Sequence, residues 1–332
     1  MNLVTGSTGM LGSYMILHLL QKGENVRAIY RNKNNIQKTF NLFALNNAGY
    51  LFDKIEWVQG DILDIPSLEK ALENISYVYH CAALVSFDPK DEEDLRKTNI
   101  EGTSNMVNCS LDAGIKKFCH VSSIAALGDT TEHEKTITEE TEWNPEKPHS
   151  DYAISKHGAE MEVYRISEEG LNTVIVNPGV IIGTGFWEKS SGEIFTKTVA
   201  GIPFYTLGSS GFVAVEDVCE IMHKLVHSEI SKERFILISE NVVYRNLISW
   251  ICEAAGIKKP KFHAKKWLTQ SAWRIDWILS NILFMKRRMP KTMAKSLHSK
   301  DLYSNEKIKR FLNYDFISIE KQCRKTTQDY IS

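Results

Sequence analysis

Tyr152 and Lys156 stand four residues apart in Asp151-Tyr152-Ala153-Ile154-Ser155-Lys156. On a helix, positions i and i+4 share a face, so a phenol and an ammonium would meet there. A free phenol titrates near pKa ~10, too high for efficient proton exchange at neutral pH. A neighbouring ammonium favours the phenolate and is expected to lower that value. Tyr152 would then act as a general acid toward a carbonyl or as a base toward an alcohol. A hydroxyl is also needed to orient the substrate oxygen. Ser122-Ser123 offers two, of which Ser123 is preferred and Ser122 is the competitor. Asn99 is a candidate to brace Lys156, directly or through a water; the plainer reading is an asparagine bonded to nearby backbone.

An oxidoreductive pair of this kind needs a cofactor and a frame. Thr5-Gly6-Ser7-Thr8-Gly9-Met10-Leu11-Gly12 lies between a predicted strand, 2–5, and a predicted helix, 13–22. Gly6 would permit the tight turn, Gly9 would let backbone approach a pyrophosphate, and Gly12 would let helix pack on strand. The helix N-terminus would then offer N–H groups to the phosphates. At the end of the second predicted strand, where an acidic residue would hold the ribose of NAD, stand Tyr30, Arg31 and, two residues on, Lys33. With Arg31 able to pair a 2′-phosphate, NADP(H) is favoured over NAD(H). Asp61, with Ile62 beside it, either receives the adenine amino group or merely starts a turn, and the residues leave both readings open. The small pair Ala82-Ala83 would let chain pass beside the cofactor, and Lys156 would reach the nicotinamide ribose.

Predicted strands at 26–30, 55–59, 76–82, 117–122 and 173–177 alternate with helices at 65–73, 92–114 and 151–168. That rhythm implies an α/β fold, a Rossmann-type doubly wound parallel sheet. After Pro178 it breaks, then resumes with a helix at 213–226 and a strand at 235–238. A nucleotide domain is therefore expected over 1–178 plus 212–238, and a smaller, mostly helical substrate part over 179–211 plus 239–332. The 332 residues, 43% hydrophobic and 24% charged, suit a globular chain. A net charge of −1 gives no pull toward nucleic acid. The six cysteines (Cys81, Cys109, Cys119, Cys219, Cys252, Cys323) show no zinc spacing; reduced thiols, no metal and a cytoplasmic protein are expected. Met1–Val4 runs straight into the glycine turn without a basic leader, so no signal peptide is expected, and the chain has no apolar run of transmembrane length.

Taken together, these residues resemble the extended short-chain dehydrogenase/reductase family, which includes the epimerase/dehydratase-like enzymes. The resemblance rests on Thr5–Gly12, Gly60-Asp61, His80-Cys81-Ala82-Ala83, Asn99, Val121-Ser122-Ser123, Tyr152 with Lys156, Asn177-Pro178, Val215-Glu216-Asp217-Val218 and the tail Asn305–Phe316, where Asn313 replaces a usual glycine. It implies that Ser123, five residues before Gly128, is the active serine, that Pro178 and Val180 touch the cofactor, and that the chain forms a homodimer. Ile124-Ala125-Ala126 lacks the acidic pair of sugar-nucleotide dehydratases. Val176–Gly183, with Leu84-Val85-Ser86-Phe87, looks most like the dihydroflavonol reductase and 3β-hydroxysteroid dehydrogenase branch. The resemblance thus implies hydride transfer at a carbonyl or secondary alcohol of a small substrate. The alternatives are a nucleotide-sugar epimerase and a non-catalytic NADP-binding redox sensor.

Val85, Phe87, Phe186 and Trp187 are the candidate substrate contacts, in a wall that also includes Phe204, Tyr205 and Phe212, with Trp267 and Trp273 as a cap. Such a lining suits a ring or an aliphatic body. Residues 257–332 hold 18 Lys and Arg against 6 Asp and Glu, net +12, whereas 1–256 carry net −13. The stretch 267–285 reads as an amphipathic helix followed by Lys286-Arg287-Arg288. Packing over the pocket is the preferred reading of it, and weak contact with a membrane surface is the other.

Overall fold

A computed structural model describes residues 1–130, 135–188, 190–282 and 290–332. The predicted alternation is present as a parallel sheet of seven strands: β1 (Asn2–Thr5), β2 (Val26–Tyr30), β3 (Ile55–Gln59), β4 (Tyr77–His80), β5 (Lys117–Val121), β6 (Thr173–Pro178) and β7 (Glu233–Leu237). Their order is β7-β6-β5-β4-β1-β2-β3, so the winding reverses between β1 and β4. In an open parallel sheet that switch point opens a crevice at the C-terminal ends of the strands. The inner strands are apolar because both faces are covered. Met15 and Leu19 of α1 (Met10–Gln21) pack one face with Ile221 and Leu225 of the helix Val215–Val226. Leu68 of α3 (Ile65–Leu72), Met106 of α4 (Gly102–Asp112) and Val163 of α5 (Asp151–Glu168) pack the other.

Several elements differ from the sequence reading. A helix absent from it, α2 (Ile36–Leu45), follows β2 and buries Thr39, Leu42 and Phe43. The predicted helix over 92–114 is Glu92–Leu95, then a π turn at Arg96–Glu101, then α4. Three further strands, Val180–Ile182, Ser209–Ala214 and Glu240–Val243, form a small sheet beside the large one. Val213 and Ala214, read as helix, are the end of a strand, and an expected domain boundary at 212 cuts through it. β-Branched and glycine-rich segments this short carry little periodicity to detect.

The tail closes the fold as its pattern implied. Asn313 adopts φ 46°, the left-handed conformation glycine usually supplies and asparagine tolerates. The turn it makes delivers the Tyr314 hydroxyl to Asp217 Oδ1 at 2.8 Å and the Ile317 N–H to Asp217 Oδ2 at 3.0 Å. Two stretches about a hundred residues apart are thereby locked together. Desolvation nonetheless raises the Asp217 carboxyl to about 6.

Candidate active site

The glycine turn is built around contacts no larger residue allows. Gly6 has φ +63°, and a Cβ on it would lie 2.7 Å from backbone atoms of Cys81 and Ala82. A Cβ on Gly12 would lie 2.2 Å from the Gly6 carbonyl oxygen. Gly9 is the N-cap of α1, and it brings no side chain to occupy the first-turn N–H groups, which have no partner within a helix. An uncapped N-terminus behind an exposed glycine fits an anionic pyrophosphate. The turn itself is tied from within. Ser7 donates to the Ile29 carbonyl, and the Ser7 carbonyl accepts from Ser13 at 3.0 Å and from Thr39 of α2 at 3.1 Å. Gly9 is exposed and Thr8 half-buried, whereas Met10 packs against the core and the Leu11 side chain lies within it. Thr5 is wholly buried. Its hydroxyl meets His80 Nδ1 at 2.8 Å and accepts the Ala82 N–H at 3.1 Å, so it sets the course of the Ala82-Ala83 segment.

At the far end of the crevice Arg31 is 71% exposed, its guanidinium 3.8 Å from Asp61 Oδ2. Asp61 Oδ1 accepts from the Leu63 N–H at 3.1 Å, which is the turn-starting role. Ile62 is buried against Gly102. Pro178 ends β6 in the core, and Val180 is half-buried beside it.

Helix α5 carries the reactive face. Ser150 caps it by accepting from the Ala153 N–H at 3.1 Å, and Tyr152, Lys156 and Glu160 follow along one side. Ser123 lies near the Tyr152 hydroxyl and favours its phenolate form. Ser123 Oγ accepts from the Ala125 N–H at 3.1 Å, which fixes its rotamer. Ser122 is buried and turns toward the Glu160 carboxyl. The two serines thus separate into one facing the crevice and one facing the interior. Phe87 meets the Tyr152 ring edge-on at 5.8 Å between centroids.

One expectation needs correction, and one open reading is resolved. Lys156 was expected to lower the Tyr152 pKa, but desolvation of the phenol raises it, and only Ser123 opposes the rise. The reason is geometric: Lys156 Nζ donates to the Val121 carbonyl at 2.8 Å. Burial depresses Lys156 itself to about 8, against the pull of Glu160 and Cys81. Asn99 makes no direct bond to Lys156 among the described residues; of the two readings open for it, it takes the bond to backbone. Its Oδ1 accepts the Leu84 N–H at 2.7 Å, and its Nδ2 donates to the Leu84 carbonyl and to Ser155 Oγ, both at 2.9 Å. It sits in the π turn, where the widened backbone aims it across to α5. Asn99 therefore clamps the segment carrying Val85 and Phe87 to the helix carrying Tyr152.

The aromatic wall is smaller than expected. Phe212 is fully buried core. Phe186 packs against the main core and Trp187 against Tyr330 at 4.9 Å. Phe204 pairs with Phe262, Tyr205 stacks on His263, and Trp267 is 65% exposed rather than capping. A cavity of about 290 Å³ lies instead among Phe87, Ser86, Asp151, Trp273 and Trp277. Val85 is exposed at its edge of the crevice.

Glu160 was missed. It is fully buried, bound by Asn177 Nδ2 at 2.5 Å and by Arg234 Nη1 at 3.4 Å, and burial raises its pKa. The signal was present as a third residue in the i, i+4, i+8 series begun by Tyr152 and Lys156.

A family model, the NAD dependent epimerase/dehydratase family, matches residues 2–237. The chain belongs to this family. Its members are NAD(P)-dependent oxidoreductases, epimerases and dehydratases of the extended short-chain type. Sterol demethylase protein B of Methylococcus capsulatus is 29% identical, over 78% of this chain and 76% of that protein. Tetraketide alpha-pyrone reductase 2 of Arabidopsis thaliana is 31% identical, over 73% and 78%. The structure of UDP-glucuronic acid 4-epimerase from Bacillus cereus superposes with a TM-score of 0.77 at 17% identity, covering 99% of this chain and 98% of that one. At that identity it shows the shared fold. No helix among the described residues is long and apolar enough to cross a membrane.

Proposed function

We propose that this family member is an NADP(H)-dependent reductase of a carbonyl in a small, largely apolar substrate. The observation that carries the reading is Tyr152 on the face of α5, with Ser123 near its hydroxyl and the Phe87 ring edge-on against its own at 5.8 Å. The bound dinucleotide would supply hydride to the carbonyl carbon. Ser123 holds the substrate oxygen, and Tyr152 donates its phenolic proton to that oxygen as the alcohol forms. Burial raises the phenol's pKa, so it holds its proton until reduction makes the substrate oxygen alkoxide-like and basic enough to take it. Lys156, buried and depressed to about 8, is held on the Val121 carbonyl, from where it would reach the cofactor ribose.

Preference for NADP(H) is supported by Arg31, whose exposed guanidinium makes only a long contact with Asp61 and can pair a 2′-phosphate. An apolar substrate is supported by the two tryptophans and the phenylalanine around the cavity, and by the reductase relative. As in that family generally, a homodimer is expected.

The purified chain would be tested for NADPH oxidation against ketosteroids, flavonoid-like ketones, aldehydes and nucleotide sugars. One NADPH consumed per apolar ketone reduced is expected. Interconversion of nucleotide sugars without net cofactor change would replace this reading with epimerisation. Cofactor binding without turnover of any substrate would replace it with a sensor.

A further inference from the structure

The helix Lys266–Ile282 is inside out. Ile275, Ile278, Leu279 and Ile282 follow the i, i+3, i+4, i+7 spacing that normally marks a core-facing stripe. Here all four are exposed, by 57%, 47%, 49% and 67%, and exposed Trp267 extends the same stripe by two turns. The buried side carries hydroxyls instead. Thr269 meets His298 Nε2 at 2.8 Å, and Ser280 donates to the Trp277 carbonyl at 3.0 Å. A contiguous exposed apolar stripe of this kind marks a contact surface rather than the scattered apolar residues of ordinary protein exteriors.

Charge identifies the occupant. Lys265, Lys266 and Arg274 are exposed on or next to this helix, and Lys291 and Lys295 on the one that packs against it. Arg274 and Lys291 both lie over the Trp273 ring, at 4.9 and 6.0 Å. These five basic residues outnumber Asp276, the acidic residue of the helix. A second copy docked face to face would bring the same cations together. An anionic lipid surface complements them. Lys286-Arg287-Arg288, expected from the sequence to follow the helix, lie outside the described residues.

The helix also reaches the site. Trp273 and Trp277 line the cavity beside Phe87, whose ring touches that of Tyr152. We infer that Lys266–Ile282 lies in the interface of an anionic bilayer and admits an apolar substrate from the lipid side into the cavity next to Tyr152. The docking stands on the exposed stripe alone, whereas the route for substrate rests on the reductase reading.

The test uses the full chain with vesicles of phosphatidylcholine, alone or mixed with phosphatidylglycerol, in a flotation assay. Flotation with the anionic vesicles, weakened by added salt and slight with phosphatidylcholine alone, is expected. The double variant Ile278→Glu/Ile282→Glu, altered only at exposed positions, should lose at least tenfold in vesicle binding with an unchanged melting temperature. Its NADPH oxidation with a water-soluble ketone should be unchanged, while turnover of a bilayer-dissolved ketone falls. Wild-type protein left at the bottom with both vesicle types overturns the docking. So does sedimentation showing a dimer that these substitutions dissociate, without vesicle binding. Flotation without turnover of any ketone keeps the docking and removes the reductase reading.

Discussion

At the N-terminal edge of the sheet, Glu24 accepts from Asn2 at 2.8 Å and lies 2.5 Å from His223 and 3.5 Å from His227. Beside it Glu220 holds Lys22 at 3.0 Å and His18 at 3.4 Å. At the C-terminal edge the polar groups keep capacity in reserve. Among the described residues, the α1 N-terminus is capped by a glycine and Arg31 makes one long contact. Charged groups paired with one another fix structure, even where single atoms such as Asn2 Oδ1 and His18 Nε2 make no hydrogen bond among the described residues. Those left with free donors are held ready for a ligand, at a cost in stability. The contrast predicts that substitutions at one edge remove chemistry and at the other remove stability.

Tyr152→Phe should show the largest effect. It deletes the acid while leaving the ring against Phe87. NADPH-dependent turnover should fall by about 10³-fold, the range for loss of a positioned acid, with no drop in melting temperature. A large loss of stability would mean that Tyr152 is structural and the contrast is false.

Acid stability sharpens the same comparison. Burial lowers His80 to about 3 and drives His120 well below its ordinary value of 6.5. The unfolded chain therefore takes up these protons first as pH falls below 6.5. The stability these neutral rings contribute is complete above that value and is lost toward about 3. Each such histidine costs up to about 1.4 kcal/mol per pH unit in that window. His120→Phe, which keeps an aromatic ring beside His80, should flatten the acid limb in urea unfolding at pH 7 and pH 5. An unaltered limb would place the cost elsewhere. Arg31→Ala, a smaller change, should lower the kcat/KM ratio for NADPH over NADH about tenfold, the worth of one charge-assisted pair. An unmoved ratio removes the cofactor assignment.

Legibility followed the same division. The glycine turn, the seven strands and the helix that carries Tyr152 and Lys156 were readable because each depends on residue type at short, fixed spacing. The Asn99 clamp was not, because its partners Leu84 and Ser155 come from two other segments, and the π turn that aims it has no periodic signature. The direction of the Tyr152 shift was misread because spacing reports proximity along a helix but not which carbonyl the ammonium will choose. The aromatic wall was overdrawn because composition cannot separate a core phenylalanine such as Phe212 from a pocket one such as Phe87.

Glu24→Gln is the smallest and most discriminating change. It keeps the shape and the Asn2 contact but removes the charge that faces three histidines' worth of ring edges: His223, His227 and, through His223 at 5.4 Å, His18. Partly exposed pairs of this kind contribute up to about 1 kcal/mol, so the melting temperature should fall by roughly 2 °C. Cofactor affinity and turnover should not change, since α1 separates this cluster from the glycine turn by its full length. A change in turnover comparable to the change in stability would show that the two edges are coupled through α1. The sheet would then be transmitting strain between ends that the hydrogen-bond pattern keeps apart.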